Sequence, residues 1–206
     1  MDRASLRKYF LMGSQDCPPG REPADILKEA IAAGITIFQF REKGEGSLDG
    51  AEKIALGKQL RSICRDAEIP FIINNDVDLI EVLDVDGIHV GQTDTSVTVL
   101  REKYPDLIIG LSVSNEEELS TSPLHLVDYL GAGAVYPTTS KNDAVVGEGL
   151  EWIRRVRHLH PDIPCVGIGG ITVDSAADVI AAGADGVAVI SAITQADNIA
   201  DALAQL

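Results

Sequence analysis

The chain has 206 residues, 45% of them apolar and only 4% aromatic, with a formal charge of -15. That length buries roughly 70% of its unfolded surface, enough for a full core without disulfide or metal staples. The acidic balance argues against nucleic acid or an anionic membrane as partner, because phosphate backbones are bound by basic surfaces, yet it still permits a small anion held by a few gathered cations. The three cysteines, Cys17, Cys64 and Cys165, are odd in number and too scattered for metal-ligand spacing, which fits a reducing compartment and predicts no disulfide. The N-terminal apolar run is too short for a signal peptide, and no stretch of about 18 apolar residues occurs. A soluble, cytoplasmic protein is expected.

Tyr9 to Gly13 reads as a first strand, and Pro23 to Ala33 as a helix stopped by Gly34. In Ile37 to Arg41 the period changes to two, with Phe38 and Phe40 on one side and Ile37, Gln39 and Arg41 on the other. If the phenylalanines pack on helices, Gln39 and Arg41 point to a barrel interior near its C-terminal mouth, with Lys43 just beyond. Such a polar and cationic convergence needs solvent or a ligand. A surface salt-bridge cluster with Glu42 is the alternative. Ser47 is the expected N-cap of a helix running to Asp66.

Phe71 to Ile73 is a third strand ending in Asn74, Asn75 and Asp76, and Gly87 to Val90 a fourth, leading into Gly91, Gln92, Thr93 and Asp94. On neighbouring strands, Asp94 and the 74–76 cluster share one rim, where oxygen ligands suit Mg²⁺. Plain N-capping is the alternative reading of the cluster. His89, inside an apolar strand, reads as a packing residue rather than a catalyst. In the fifth strand, Leu107 to Ser114, the small residues Gly110, Ser112 and Ser114 share a parity and leave room in the barrel, and Ser112 can donate to a ligand. The next helix should be short or distorted, since Pro123 falls in it.

Asp128 to Val135 is the sixth strand. About a dozen residues follow before the next helix at Leu150 to His160, longer than a usual connection and therefore either a lid or an ordinary solvated loop. They include Thr138, Thr139, Ser140 and Lys141, which suit phosphate oxygens. Cys165 to Ile168, the pair Gly169 and Gly170, a helix with the stripe Val173, Ala176, Ala177, Ile180 and Ala184, and a strand from Gly186 to Ile190 form a parallel strand–helix–strand unit. Glycines after the seventh strand and a short Ser191-Ala-Ile segment after the eighth match the phosphate site of many barrels, though tight turns alone would also use them. Asp197 to Leu206 is the last helix. Eight strand–helix alternations give an α/β fold, a compact (β/α)8 TIM barrel as a single domain over residues 1–206, with an open doubly wound sheet as the alternative.

FQFREKG, FIINND, DGIHVGQTD, GLSVS, YPTTSK, VGIGGI and ADGVAVISAI, taken in order, resemble thiamine phosphate synthase over nearly the whole chain. That family joins 4-amino-2-methyl-5-hydroxymethylpyrimidine diphosphate to 4-methyl-5-(2-phosphoethyl)thiazole and releases diphosphate by a dissociative route. The resemblance implies that Gln39, Arg41, Lys43, Asn74 and Lys141 contact the pyrimidine diphosphate. It gives one Mg²⁺ to Asp94 and position 75, a reactive-site hydrogen bond to Ser112, and the thiazole phosphate to Thr138, Ser140, Gly170, Ile190 and Ser191. Arg41, Lys43, Ser112 and Lys141 are thereby the expected catalytic groups. The chain departs from the family pattern at Asn75, where an aspartate ligand is expected, and the missing charge predicts a weaker hold on the metal. A related thiazole tautomerase, working without Mg²⁺, and a non-catalytic phosphate-ligand sensor are the competing readings. The expected partners are the two small-molecule phosphates, with no nucleic acid and no membrane, and a homo-oligomer is compatible with the sequence.

Overall fold

A computed structural model describes residues 1–138 and 148–206. Eight strands, β1 (Lys8–Met12), β2 (Ile37–Phe40), β3 (Phe71–Asn74), β4 (Gly87–Val90), β5 (Ile108–Val113), β6 (Tyr129–Ala132), β7 (Cys165–Ile168) and β8 (Gly186–Val189), pair in sequence order and close into a barrel through β1 and β8. Every pairing is parallel. This is the (β/α)8 architecture that the alternation of strand and helix patterns predicts, and the open doubly wound sheet is excluded by closure.

Around the barrel lie α1 (Pro23–Ala32), α2 (Gly50–Asp66), α3 (Leu79–Leu83), α4 (Val97–Lys103), α5 (Glu116–Thr121), α6 (Leu150–Leu159), α7 (Val173–Ala181), the short α8 (Ser191–Thr194) and α9 (Ile199–Gln205). Among the described residues no helix is long and apolar enough to cross a membrane. Helix α2 starts later than its sequence suggests. Ser47 turns back to donate to the Gly44 carbonyl at 2.7 Å, and Asp49 takes the N-cap position. The last helix is likewise shortened, because Asn198 caps it by accepting from the Ala200 and Asp201 amides. Helix α5 is short, as Pro123 requires, and Asn115 caps it. Strand β6 ends at Ala132 rather than Val135. Beyond it Gly133 presses so close to β7 that a Cβ there would lie 2.1 Å from the Ile168 carbonyl oxygen.

Two apolar layers follow from strand parity. Phe10, Phe38, Phe40 and Phe71 belong to the layer between strands and helices, with ring centroids 5.6 Å apart for Phe10 and Phe38 and 5.8 Å for Phe38 and Phe71. Tyr9, Leu11, Ile37, Ile72, Tyr129, Val166 and Ala188 fill the barrel itself. The period of two read in β2 therefore assigns its faces correctly.

At the N-terminal rim one arrangement recurs. Asp86, Asp128 and Asp185 each precede an even-numbered strand and accept the amide of Phe71, Ile109 and Cys165, each at 2.8 Å. Each also accepts from an arginine on an even-numbered helix: Arg61 at 2.9 Å, and Arg101 and Arg157 at 2.7 Å. In the fourth quarter Thr36 stands in the same place and accepts the Lys8 amide at 2.9 Å. Charge-assisted bonds in three of the quarters hold strand starts in register, at the end of the barrel opposite the expected site. Asp185→Ala should leave the Arg157 guanidinium and an amide without their acceptor, costing about 3 kcal/mol. Thermal unfolding should then begin some ~6–12 °C lower, while kcat/KM at 25 °C stays within about twofold. An unchanged melting temperature would remove the clamp from the account of stability.

Candidate active site at the C-terminal mouth

At the other rim, consecutive strands β2, β3, β4 and β5 deliver the residues singled out by sequence. Gln39 is 1% exposed, inside the barrel, and its Nε2 donates to the Tyr9 hydroxyl at 2.7 Å. Its Oε1 has no partner among the described residues. One residue past the end of β2, Arg41 is half-buried, and Lys43 is exposed. The salt-bridge alternative involving Glu42 does not describe this corner. The Glu42 carboxylate is buried and occupied by the Ser14 and Leu48 amides, at 2.8 and 2.7 Å, and by the Ser14 hydroxyl. Asp16 lies close by, its carboxyl pushed above the usual range by burial although the Gly13 amide and the Arg41 charge act against that.

The loops after β3 and β4 meet as their neighbouring strands require. Asn75 sits at φ 61°, a left-handed conformation that asparagine tolerates better than most residues. Its backbone amide donates to the His89 carbonyl at 3.0 Å, and its side-chain Nδ2 donates to Asp94 Oδ1 at 2.9 Å. Asp94 Oδ2 accepts from the Gly91 amide at 2.7 Å. A carboxylate and an amide held this close fit a hard cation, with the amide turned to present its carbonyl oxygen and the remaining ligands drawn from water and phosphate. Among the described residues no group of three or more acidic, histidine or cysteine side chains is placed to hold a metal ion. Asp76 is not part of this pair. It is taken by Lys53 of α2, which also donates to the Glu42 carbonyl at 3.3 Å. Asn74, half-buried, shares the inward parity of Ile72.

Ser112 of β5 is half-buried and bonds His89 Nε2 at 2.9 Å, while His89 Nδ1 bonds the Tyr129 hydroxyl at 3.0 Å. The room that Gly110 leaves in the barrel is thus filled from within. A Cβ at Gly110 would lie 2.2 Å from Tyr129 Cζ and 2.4 Å from His89 Nδ1, and one at Gly131 would come within 3.0 Å of His89 Cε1. The Tyr9 and Tyr129 hydroxyls are 2.7 Å apart. Burial holds both phenols well above the ordinary tyrosine range, so both keep their protons. His89 is a core residue, as its setting suggests, but it touches a candidate site residue. Sequence reasoning missed Tyr9, Tyr129 and Lys53 entirely. Inward parity with Leu11 was the available signal for Tyr9.

On the far side of the mouth, β7 and β8 end next to each other in the Gly169–Gly170 turn and the start of α8. Gly170 (φ 64°) could not carry a side chain, since a Cβ would meet the Pro137 carbonyl oxygen at 2.3 Å. Gly169 accepts the Tyr136 amide at 3.0 Å through its carbonyl. The glycines therefore serve close backbone approach to the segment after β6. Ile190 precedes α8, and Ser191, exposed, begins it. Thr138 is half-buried at the edge of this segment. Thr139, Ser140 and Lys141, and with them most of the expected lid at 137–148, lie outside the described residues.

The family model described as thiamine monophosphate synthase matches residues 8–193. The chain is 55% identical over 205 residues to the thiamine-phosphate synthase of Oceanobacillus iheyensis, covering 100% of this chain and 98% of that one. It is 50% identical over 198 residues to the thiamine-phosphate synthase of Streptococcus suis, covering 96% and 86%. Among solved structures, the thiamine phosphate pyrophosphorylase of Pyrococcus furiosus superposes with a TM-score of 0.86 at 36% identity, over 99% of this chain and 95% of that one. The chain therefore belongs to the thiamine monophosphate synthase family and is an enzyme of the transferase class.

Proposed function

We propose that this enzyme joins 4-amino-2-methyl-5-hydroxymethylpyrimidine diphosphate to 4-methyl-5-(2-phosphoethyl)thiazole, giving thiamine phosphate and free diphosphate, in the cytoplasm. The observation that carries the reading is the shared rim on which Arg41, Lys43, Asn75 and Asp94 stand, at the ends of three consecutive strands. A dianionic or trianionic leaving group needs that concentration of cation and metal-binding oxygen, in a chain otherwise strongly acidic. Gln39, Asn74 and Ser112 line the interior beneath the rim and orient the pyrimidine. Arg41, Lys43 and Lys141 meet the diphosphate. Gly170, Ile190 and Ser191, with Thr138 and Ser140, take the thiazole phosphate across the mouth.

In the dissociative course the bond from the pyrimidine methylene to the diphosphate oxygen breaks first, and the bonding pair leaves with diphosphate. The thiazole nitrogen then supplies its lone pair to the resulting cation, forming the new carbon–nitrogen bond. No proton moves, so the site needs no general base. Asn75 and Asp94 would hold Mg²⁺, which when bound would supply positive charge to the leaving diphosphate. Charge on Arg41, Lys43 and Lys141 acts in the same direction, and is worth most where water is excluded.

Incubation with both substrates and Mg²⁺, followed by mass spectrometry, should yield thiamine phosphate and one equivalent of diphosphate. Isomerisation of a thiazole phosphate in Mg²⁺-free buffer with no thiamine phosphate formed would overturn the proposal.

A further inference from the structure

Four hydrogen bonds cross the barrel interior in one unbroken series, from Gln39 on β2 through Tyr9 on β1, Tyr129 on β6 and His89 on β4 to Ser112 on β5. Every member except Ser112 is buried, at 1% exposure for Gln39 and Tyr9, 0% for Tyr129 and 6% for His89. Such a series has a direction. Gln39 Nε2 donates to Tyr9, so the single proton of the Tyr9 hydroxyl is used toward Tyr129. Tyr129 then spends its own proton on His89 Nδ1, which leaves the imidazole proton on Nε2, donated to Ser112. The opposite direction beyond Tyr9 would leave a buried phenolic proton without an acceptor, a costly state inside the barrel.

The geometry points to Tyr9, Tyr129 and His89 as positioning residues that fix the polarity of Ser112: because its oxygen accepts from His89, its hydroxyl proton is aimed outward as a donor to the bound pyrimidine. Gln39 Oε1, buried and without a partner among the described residues, is left as an acceptor at the other end of the same series. The site thereby presents one donor and one acceptor, fixed relative to each other by three residues that never touch the ligand. It fits a heteroaromatic ring carrying an exposed nitrogen lone pair and an amino group. The two strand glycines make room for this series, since a Cβ at Gly110 would collide with Tyr129 and His89 and one at Gly131 would crowd the His89 ring. The ligand class rests on the function proposed above; the direction of the series does not.

Two measurements test it separately. Nitrogen-15 NMR of the ligand-free protein, with the His89 ring signals assigned by their loss in His89→Gln, should show a neutral imidazole protonated on Nε2. An Nδ1-protonated or doubly protonated ring overturns the proposal. Tyr129→Phe should release the tautomer and raise the Kd for the pyrimidine diphosphate, measured by calorimetry, about five- to tenfold, the effect of one lost hydrogen bond. Adding Ser112→Ala to it should cost little more, and the Kd for the thiazole phosphate should not move. Tyr9→Phe, by contrast, leaves Tyr129 free to donate and should keep the Nε2 tautomer. Should Tyr129→Phe not fold, that retention decides, and a switched tautomer in Tyr9→Phe overturns the proposal. Equal losses for both phosphates in Tyr129→Phe would mean general damage and also overturn it. Wild-type protein with the Nε2 tautomer but no affinity for the pyrimidine diphosphate would count against the proposed reaction alone.

Discussion

Replacing Arg41 by alanine should lower kcat/KM for the pyrimidine diphosphate about 10²-fold or more, since one charged donor in a partly desolvated site stabilises a departing anion by a few kcal/mol. The position supports that size of effect. Arg41 is half-buried one residue beyond β2, its backbone is pinned by donation to the Met12 carbonyl at 3.0 Å, and its carbonyl accepts from Gln15 Nε2 at 2.8 Å. A guanidinium on a fixed stem delivers charge without spending much ordering entropy on binding. The loss should appear mainly in kcat, because negative charge on the leaving oxygen grows only as the bond breaks. Arg41→Lys should recover part of it. A value of kcat/KM within threefold of the parent enzyme would remove Arg41 from the diphosphate.

Asp94→Ala should be comparably severe, about 10²-fold in rate at any Mg²⁺ concentration, because it removes the carboxylate to which the Asn75 amide and the Gly91 amide are both tied. Asn75→Asp tests the same corner in the opposite sense. A unit charge at about 4 Å is worth roughly 4 kcal/mol at an effective dielectric near 20, and most of that is offset by desolvation, water and the charges that the diphosphate carries. The half-saturating Mg²⁺ concentration should therefore fall several-fold with little change in the saturated rate. A second readout needs no turnover. Without Mg²⁺ the variant sets two carboxylates where a 2.9 Å hydrogen bond now stands, so its melting temperature should drop and be restored by Mg²⁺ more than that of the parent. Identical Mg²⁺ titrations and identical melting behaviour would show that residue 75 does not face the ion.

The parity of β2 made the faces of that strand readable, since packing Phe38 and Phe40 on helices turns Gln39 inward. Neighbouring strands likewise bring Asn75 to Asp94 with nothing needed beyond barrel order. The hydrogen-bond series inside the barrel was not readable that way. Its members come from five strands, Tyr9 and Tyr129 each sit in an apolar run, and partners 23 to 120 residues apart meet only once the barrel closes. Gly110 misled for the same reason, because space beside a glycine belongs to whichever distant side chain reaches it. Helix boundaries failed where a hydroxyl had a nearer carbonyl, as with Ser47 and Gly44. The arginine clamps went unread, although REKYPDL at 101–107 and RHLHPDI at 157–163 repeat one pattern. In both, the arginine donates to the carbonyls four and six residues on.

Those clamps also divide the barrel into quarters of unequal grip. Three quarters close on a charge-assisted pair, whereas the one joining β1 to β2 closes on a neutral threonine hydroxyl, with the Lys8 ammonium donating to the Leu203 carbonyl of the final helix. Neutral hydrogen bonds are roughly half as strong as ionic ones. The β1–β2 quarter is then where the barrel should breathe first, so that amides of Lys8–Met12 exchange with solvent ahead of those of Phe71–Asn74. Hydrogen exchange proceeding in the reverse order would place the weak quarter elsewhere. Opening there would free the Arg41 backbone from the Met12 carbonyl while the Asn75–Asp94 pair stays in place, so the proposed diphosphate corner would loosen on one side only.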